Sequence, residues 1–365
     1  MPAQTRLRLF IAAAIALPLA TAAHADTFVQ TNLVSNVPNL AAHTDPNLVN
    51  PWGMSFSATS PFWTSDQAAG VATLYDGAGN INPLVVTIPG STGGPSGPTG
   101  TVFNAGTSFL LNGAASRFIF ANLNGTISAW NGVGTTASVV ATTPGAIYTG
   151  LAISGNTLYA ANSSAGRVDV FNSSFAPTTL PGSFTDPDIP AGFVPFNIQA
   201  IGSTLYVTYA HLGPGGAPLP GGFVDAFNAD GTFAQRLASG GPLSAPWGIT
   251  LAPSTFGSFG NDLLIGNFGN GTIDAFSTSG TFLGVLDGTN GQPLVNDFLW
   301  ALNFRTGGPN VDTNALYFTA GINGEQGGLF GAITPATPEP SSLILAASGL
   351  LAGLTAKLRR RNRLA

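Results

Sequence analysis

The amino-acid sequence predicts an all-β protein, a six-bladed β-propeller of four-stranded blades, and three observations carry that prediction. A Pro/Trp/Gly signature recurs six times, its central residue falling at 52, 99, 149, 196, 247 and 300. The chain of 365 residues is rich in turn formers, with 48 Gly and 27 Pro, while only 7% of its residues are charged. So few Glu, Lys and Arg leave little to clothe surface helices. Hydrophobic residues make up 44%, and 25 Phe supply enough apolar volume for a large core, which argues against disorder.

Each element of the repeat has its own local reason. The first strand follows the signature, seen most fully as Asn50, Pro51, Trp52, Gly53 and again as Ala245, Pro246, Trp247, Gly248, with looser copies at Pro98, Tyr148, Pro195 and Leu299. The second strand is a short run of β-branched and aromatic residues, such as Phe62 to Asp66 and Leu263 to Asn267. In four of six copies it ends at Asp66, Asn122, Asn162 or Asn267, side chains that can cap a tight turn. Third strands follow the Gly-rich turns at Arg167 to Phe171, Phe223 to Phe227 and Thr272 to Phe276, with Thr126 to Trp130 as a looser copy. The last copy lacks a fourth strand, whereas Phe28 to Val34 is an unassigned strand ahead of the first copy. The N-terminal strand is therefore expected to join the last blade and close the ring, removing open sheet edges. A pair of β-sandwiches would not explain six evenly spaced signatures.

The two ends read as addresses. Arg6 and Arg8 precede an apolar run from Leu9 to Ala20, and Ala23, His24 and Ala25 supply the small-x-small pattern of a signal-peptidase site. A helix of about twelve residues rises about 18 Å, short of a ~30 Å hydrocarbon core, so residues 1–25 read as a cleaved signal peptide. The propeller then occupies 26–336 and a tail occupies 337–365. That tail orders Pro338, Glu339 and Pro340, an apolar stretch from Leu343 to Ala356 that reads as a short transmembrane helix, and a basic end from Lys357 to Arg363. A basic cluster beyond an apolar helix stays on the cytoplasmic side, which leaves the propeller facing outward.

Motif, helix and arginines together resemble the PEP-CTERM sorting tail of Gram-negative bacteria, with Pro338, Glu339 and Pro340 matching its motif residue by residue. The resemblance implies an exosortase-type protease as a partner, an inner-membrane-anchored precursor, and a final place at the cell surface or outside the cell. The body from Phe28 to Thr334 is also similar to a family of exported bacterial propellers whose members open with a stretch like Ala41 to Gly53. That similarity implies a shared fold and location and brings no activity with it.

Composition narrows the chemistry. Cysteine is absent, so disulfides, thiolate metal sites and a cysteine nucleophile are excluded. Residues 26–336 hold 14 Asp, one Glu (Glu325), four Arg and no Lys, a net charge of −11 that repels phosphate backbones and excludes nucleic acid as an expected partner. Only His43 and His211 remain in the body, in different blades, with no Ser in a nucleophile-elbow setting nearby.

Because propeller strands alternate direction, the loop entering the first strand and the loop leaving the second share a face. Asn50, Trp52, Phe196, Asn197, Trp247 and Trp300 are therefore expected to gather near Asp66, Asn122, Asn162, Tyr209 and Asn267. Aromatic planes beside amides and carboxylates suit a sugar, yet residues repeated in every blade also suit blade packing and turn capping. The sequence leaves both roles open. Asp169, Asp225 and Asp274 recur at one register of the third strand, which favours a structural role. Ca²⁺, which takes six to eight oxygens, is the one cofactor left open, held with Asn carbonyls by these three carboxylates or by Asp45 and Asp66, although no Asp-x-Asp-x-Asp-Gly loop occurs.

The expected function is that of an exported surface or matrix protein whose propeller binds a ligand, such as extracellular polysaccharide, without catalysis. The competing expectation is a secreted, metal-dependent lactone or ester hydrolase of gluconolactonase-like architecture, and it rests on fold alone.

Overall fold

A computed structural model describes residues 26–89 and 97–336. The signal peptide, the sorting motif and the apolar tail anticipated from sequence lie outside the described residues.

Six sheets stand around one axis, each beginning with an inner strand that carries the signature. The first blade comprises Pro51–Ser55, Phe62–Asp66, Val71–Tyr75 and Val86–Thr87. The second comprises Pro98–Phe103, Phe118–Asn122, Thr126–Trp130 and Ser138–Thr142. Tyr148–Ser154, Thr157–Asn162 and Arg167–Phe171 make the third, and Phe193–Ile201, Thr204–His211, Phe223–Asn228 and Phe233–Ser239 the fourth. The fifth holds Pro246–Leu251, Leu263–Asn267, Ile273–Phe276 and Phe282–Val285.

The sixth blade is built from both ends of the body. Its inner strands are Leu299–Asn303, Leu316–Ala320 and Leu329–Pro335, and Phe28–Ser35 pairs antiparallel with the last of these, from Phe28 opposite Pro335 to Ser35 opposite Leu329. The ring closes as expected. His43–Thr44 then adds a short parallel strand outside it.

One blade departs from the four-stranded expectation. The third has three strands, and only a fragment fills the fourth place, where Thr178 N donates to Val170 O at 2.9 Å. The chain then crosses to the fourth blade, with Gly182 N on Asp230 O and Phe184 N on Gly231 O. Pro177, Pro181, Pro187 and Pro190 explain the departure, since a proline cannot donate to a sheet ladder.

The glycine of the signature is a packing requirement. A Cβ on Gly53, Gly100, Gly150 or Gly248 would run into the inner strand of the next blade, meeting Thr99 O, Leu151 N, the Asn197 side chain and Trp300 O respectively. Between blades lie the apolar interfaces, for example Trp63, Phe118, Phe120 and Trp130 between the first and second, where Trp63 and Phe118 stack at 4.1 Å.

Candidate functional site

Second strands end on one face of the ring and inner strands begin there. Four signature residues project from that face into the axis and meet. Trp52 and Trp300 stack at 3.6 Å, Trp247 stands edge-on to both at 6.4 and 5.7 Å, and Phe196 closes the group at 6.3 Å from Trp52. Phe268, from the loop after the fifth blade's second strand, lies 4.3 Å from Trp300. All five rings are buried, so the axis is filled by an aromatic plug rather than left as a channel. Hydrogen bonds tie Trp247 of the fifth blade to the third and fourth: Trp247 Nε1 donates to Thr149 O at 3.0 Å and Asn197 Nδ2 to Trp247 O at 2.9 Å.

Above the plug is a cup of about 750 Å³. Trp52, Phe196, Phe268 and Trp300 form its base; Leu123, Ile147, Val194 and Leu212 give it an aliphatic wall. Asn50, Gln67, Glu325 and Gln326 bring polar groups to it, and Gly213, Gly215 and Gly216 come from a loop of the fourth blade. On the polar side, Trp300 Nε1 donates to Asn50 Oδ1 at 3.0 Å, while Asn50 Nδ2 donates to Gln67 Oε1 at 2.9 Å and to Glu325 Oε1 at 3.1 Å. Burial pushes the Glu325 carboxyl above the ordinary glutamate range, and the Asn50 hydrogen bond opposes that rise.

The eleven residues singled out in the sequence fall in three settings, the border of the cup, the plug beneath it and the blade interiors. Asn50, Trp52, Phe196 and Trp300 border the cup, while Asn197 and Trp247 belong to the plug beneath it. Asp66, Asn122, Asn162 and Asn267 sit inside their blades and bond sideways to the third strand. Asn162 Nδ2 donates to Asp169 at 2.7 Å, Asn267 Nδ2 to Asp274 at 2.8 Å, and Asn122 Nδ2 to Ser128 at 3.2 Å. In the first blade the polarity is exchanged, with Thr73 Oγ1 donating to Asp66 at 2.7 Å.

The fourth blade substitutes an ionic cluster, the half-buried Arg236 lying between the buried Asp186 and Asp225, with Tyr209 close by. Burial and the neighbouring Asp186 push Asp225 up to about 7 despite Arg236, and burial pushes Asp274 up to about 6. Among the described residues no three His, Asp or Glu side chains converge as metal ligands would.

Sequence reasoning missed Glu325, Gln67, Leu123 and Leu212. The available signal was that Glu325 is the sole glutamate between residues 26 and 336.

Fold and site together define a six-bladed propeller with a plugged axis and a cup on one face. Comparison with known proteins agrees. The chain belongs to the same family as the uncharacterized protein R648 of Acanthamoeba polyphaga mimivirus, to which it is 34% identical over 82% of this chain and 78% of the relative. Uncharacterized protein L690 of the same virus is 33% identical, over 82% and 84% respectively. A solved streptogramin B lyase shares the fold with a TM-score of 0.51 and 12% identity, covering 85% of this chain and 98% of the lyase. Residues 336–361 match the PEP-CTERM protein-sorting motif. That motif implies recognition by an exosortase during export and passage through a membrane-anchored precursor.

Proposed function

We propose that this protein is a non-catalytic binding module displayed at the cell surface or in the extracellular matrix, and that its cup receives a saccharide unit of an extracellular polysaccharide. The observation that carries the reading is the cup itself. Its volume of about 750 Å³ falls in the range of small-ligand sites, and it sets an aliphatic wall against a row of oriented amides and one carboxyl. Sugars present both kinds of surface, apolar C–H faces and rings of hydroxyls.

Placement within the ring supports display. The sixth blade's last strand runs away from the cup, and Ala336 N bonds to Thr27 O at the opposite face. The described chain therefore ends on the face opposite the cup, which supports a precursor anchored through its tail with the cup turned outward. Signal peptidase and the exosortase are the proposed processing partners.

The test is calorimetric titration of the purified exported protein with oligosaccharides released from the producing strain's own polysaccharide. Saturable binding that Leu212→Arg abolishes at an unchanged melting temperature is expected. No heat of binding at low and moderate salt would count against the reading. Glu325 is the one observation that favours the hydrolase alternative, since a carboxyl with a raised pKa in a cavity is the profile of an acid–base group. Turnover of simple lactones or aryl esters that Glu325→Gln removes would establish that alternative instead.

A further inference from the structure

The one carboxylate of the cup is fixed from behind and open in front. Indole Nε1 can only donate, so the bond from Trp300 decides which way the Asn50 amide faces. Both Asn50 Nδ2 hydrogens are then directed at oxygens, those of Gln67 and Glu325. The backbone holds the same arrangement, with Asn50 N on Gly327 O and Gln67 N on Asn50 O, each at 3.1 Å. Glu325 Oε1 is thus engaged, while no described residue donates to Oε2.

The backbone at Glu325 is unusual as well. Asn323, Gly324 and Glu325 have φ of 55°, 63° and 65°, three consecutive left-handed residues closed by Glu325 N on Gly321 O at 2.8 Å. Asn and Gly enter this region readily, whereas glutamate does so rarely. A carboxylate is held on the cup wall where glycine would be the easier residue.

Every other described residue lining the cup is uncharged, and the body around it has an excess of eleven negative charges. Among the described residues nothing in the cup neutralises Glu325, and burial makes its charge costly. A ligand that brings a positive charge to Oε2 offsets that cost; one that brings a carboxylate or phosphate increases it.

Resting on the reading of the cup as a ligand site, we propose that its ligand carries a protonated amine, an amino-sugar unit whose ammonium sits against Glu325 while its ring lies on the wall of Leu123, Ile147, Val194 and Leu212. An ammonium is compact, fully charged and supplies three donors, which suits a carboxylate with one free oxygen.

The experiment compares two probes on the purified exported protein at low salt and about pH 6, a glucosamine tetramer and its N-acetylated counterpart, which differ only in the amine. The tetramer is expected to bind about tenfold tighter, as a charge-assisted hydrogen bond permits. Glu325→Gln should reduce that ratio to about one. Glu325→Gly, which relieves the left-handed strain, should melt no lower than wild type and lose the same preference. Equal binding of both probes by the wild type would overturn the amine proposal and leave the cup reading standing. Binding of neither would overturn both. A preference that survives in Glu325→Gln would also overturn the proposal, because it would trace to the acidic surface as a whole.

Discussion

Trp300 is fully buried, stacked on Trp52 and tilted against Phe268, and its side chain's only polar atom is bonded to Asn50. A residue so placed supports the floor of the cup from beneath more than it offers a face to a ligand. Trp300→Ala should therefore cost about 3 to 5 kcal/mol of stability, as large-to-small core substitutions do. A near-native thermal melt would contradict that role.

Among the carboxylates, Asp225 offers a test of sign. Its proton is held more tightly in the folded state, with a pKa of about 7, than in an unfolded chain, where an aspartate titrates near about 3.9. Its stabilising contribution is present in full below the unfolded value and is lost as pH rises through about 7. Asp66 and Asp274 are shifted the same way and add to the trend. The urea midpoint should fall between about pH 5 and about pH 8, and Asp225→Asn should flatten that fall. A midpoint that rises over this interval would show that the Arg236 ion pair dominates.

The inner strand is the element on which the ring depends. Six of them crowd the axis, and close backbone approach between neighbours explains the glycines that the repeat displays. Gly248→Ala places a methyl group against the Trp300 carbonyl, a backbone atom that cannot turn aside. Overpacking of this kind costs about 1 to 3 kcal/mol. Gly307, which has open space around its Cβ position and no left-handed φ, is the control, and Gly307→Ala should be close to neutral. Chemical denaturation of the two variants measures the difference; equal midpoints would remove the packing account of the signature.

For the whole molecule, the closed ring sets the cup on one face and ends the described chain, at Ala336, on the other. Residues 336–361, which match the PEP-CTERM sorting motif, follow from there, and the motif implies recognition by an exosortase during export. Glu339→Ala should leave export across the inner membrane intact and the cup unchanged, while the uncleaved precursor accumulates in the membrane fraction. Immunoblots of fractionated cells would follow it. Equal processing of wild type and variant would mean that the motif is not being read.

By itself the sequence determined the number of blades, the closing strand and the sorting tail, because each is written as a local pattern: a signature of three residues, a strand of alternating exposure, a motif followed by an apolar run and arginines. It also marked Asn50, Trp52, Phe196 and Trp300, since repetition placed them at the entry to the inner strands. What they do there was settled only by tertiary structure. Trp52 and Trp300 come from blades that are first and last in the chain, yet ring closure stacks them, and stacked rings fill an axis that the repeat alone would leave undefined. The third blade's missing strand likewise follows from where four prolines fall relative to a sheet edge. Glu325 is the clearest case. It lies 275 residues from Asn50, in a turn that no other blade repeats, and periodicity cannot flag a residue that occurs once. Closing the ring brings the two together and makes the sole glutamate of the body the one charged group among the described residues of the cup.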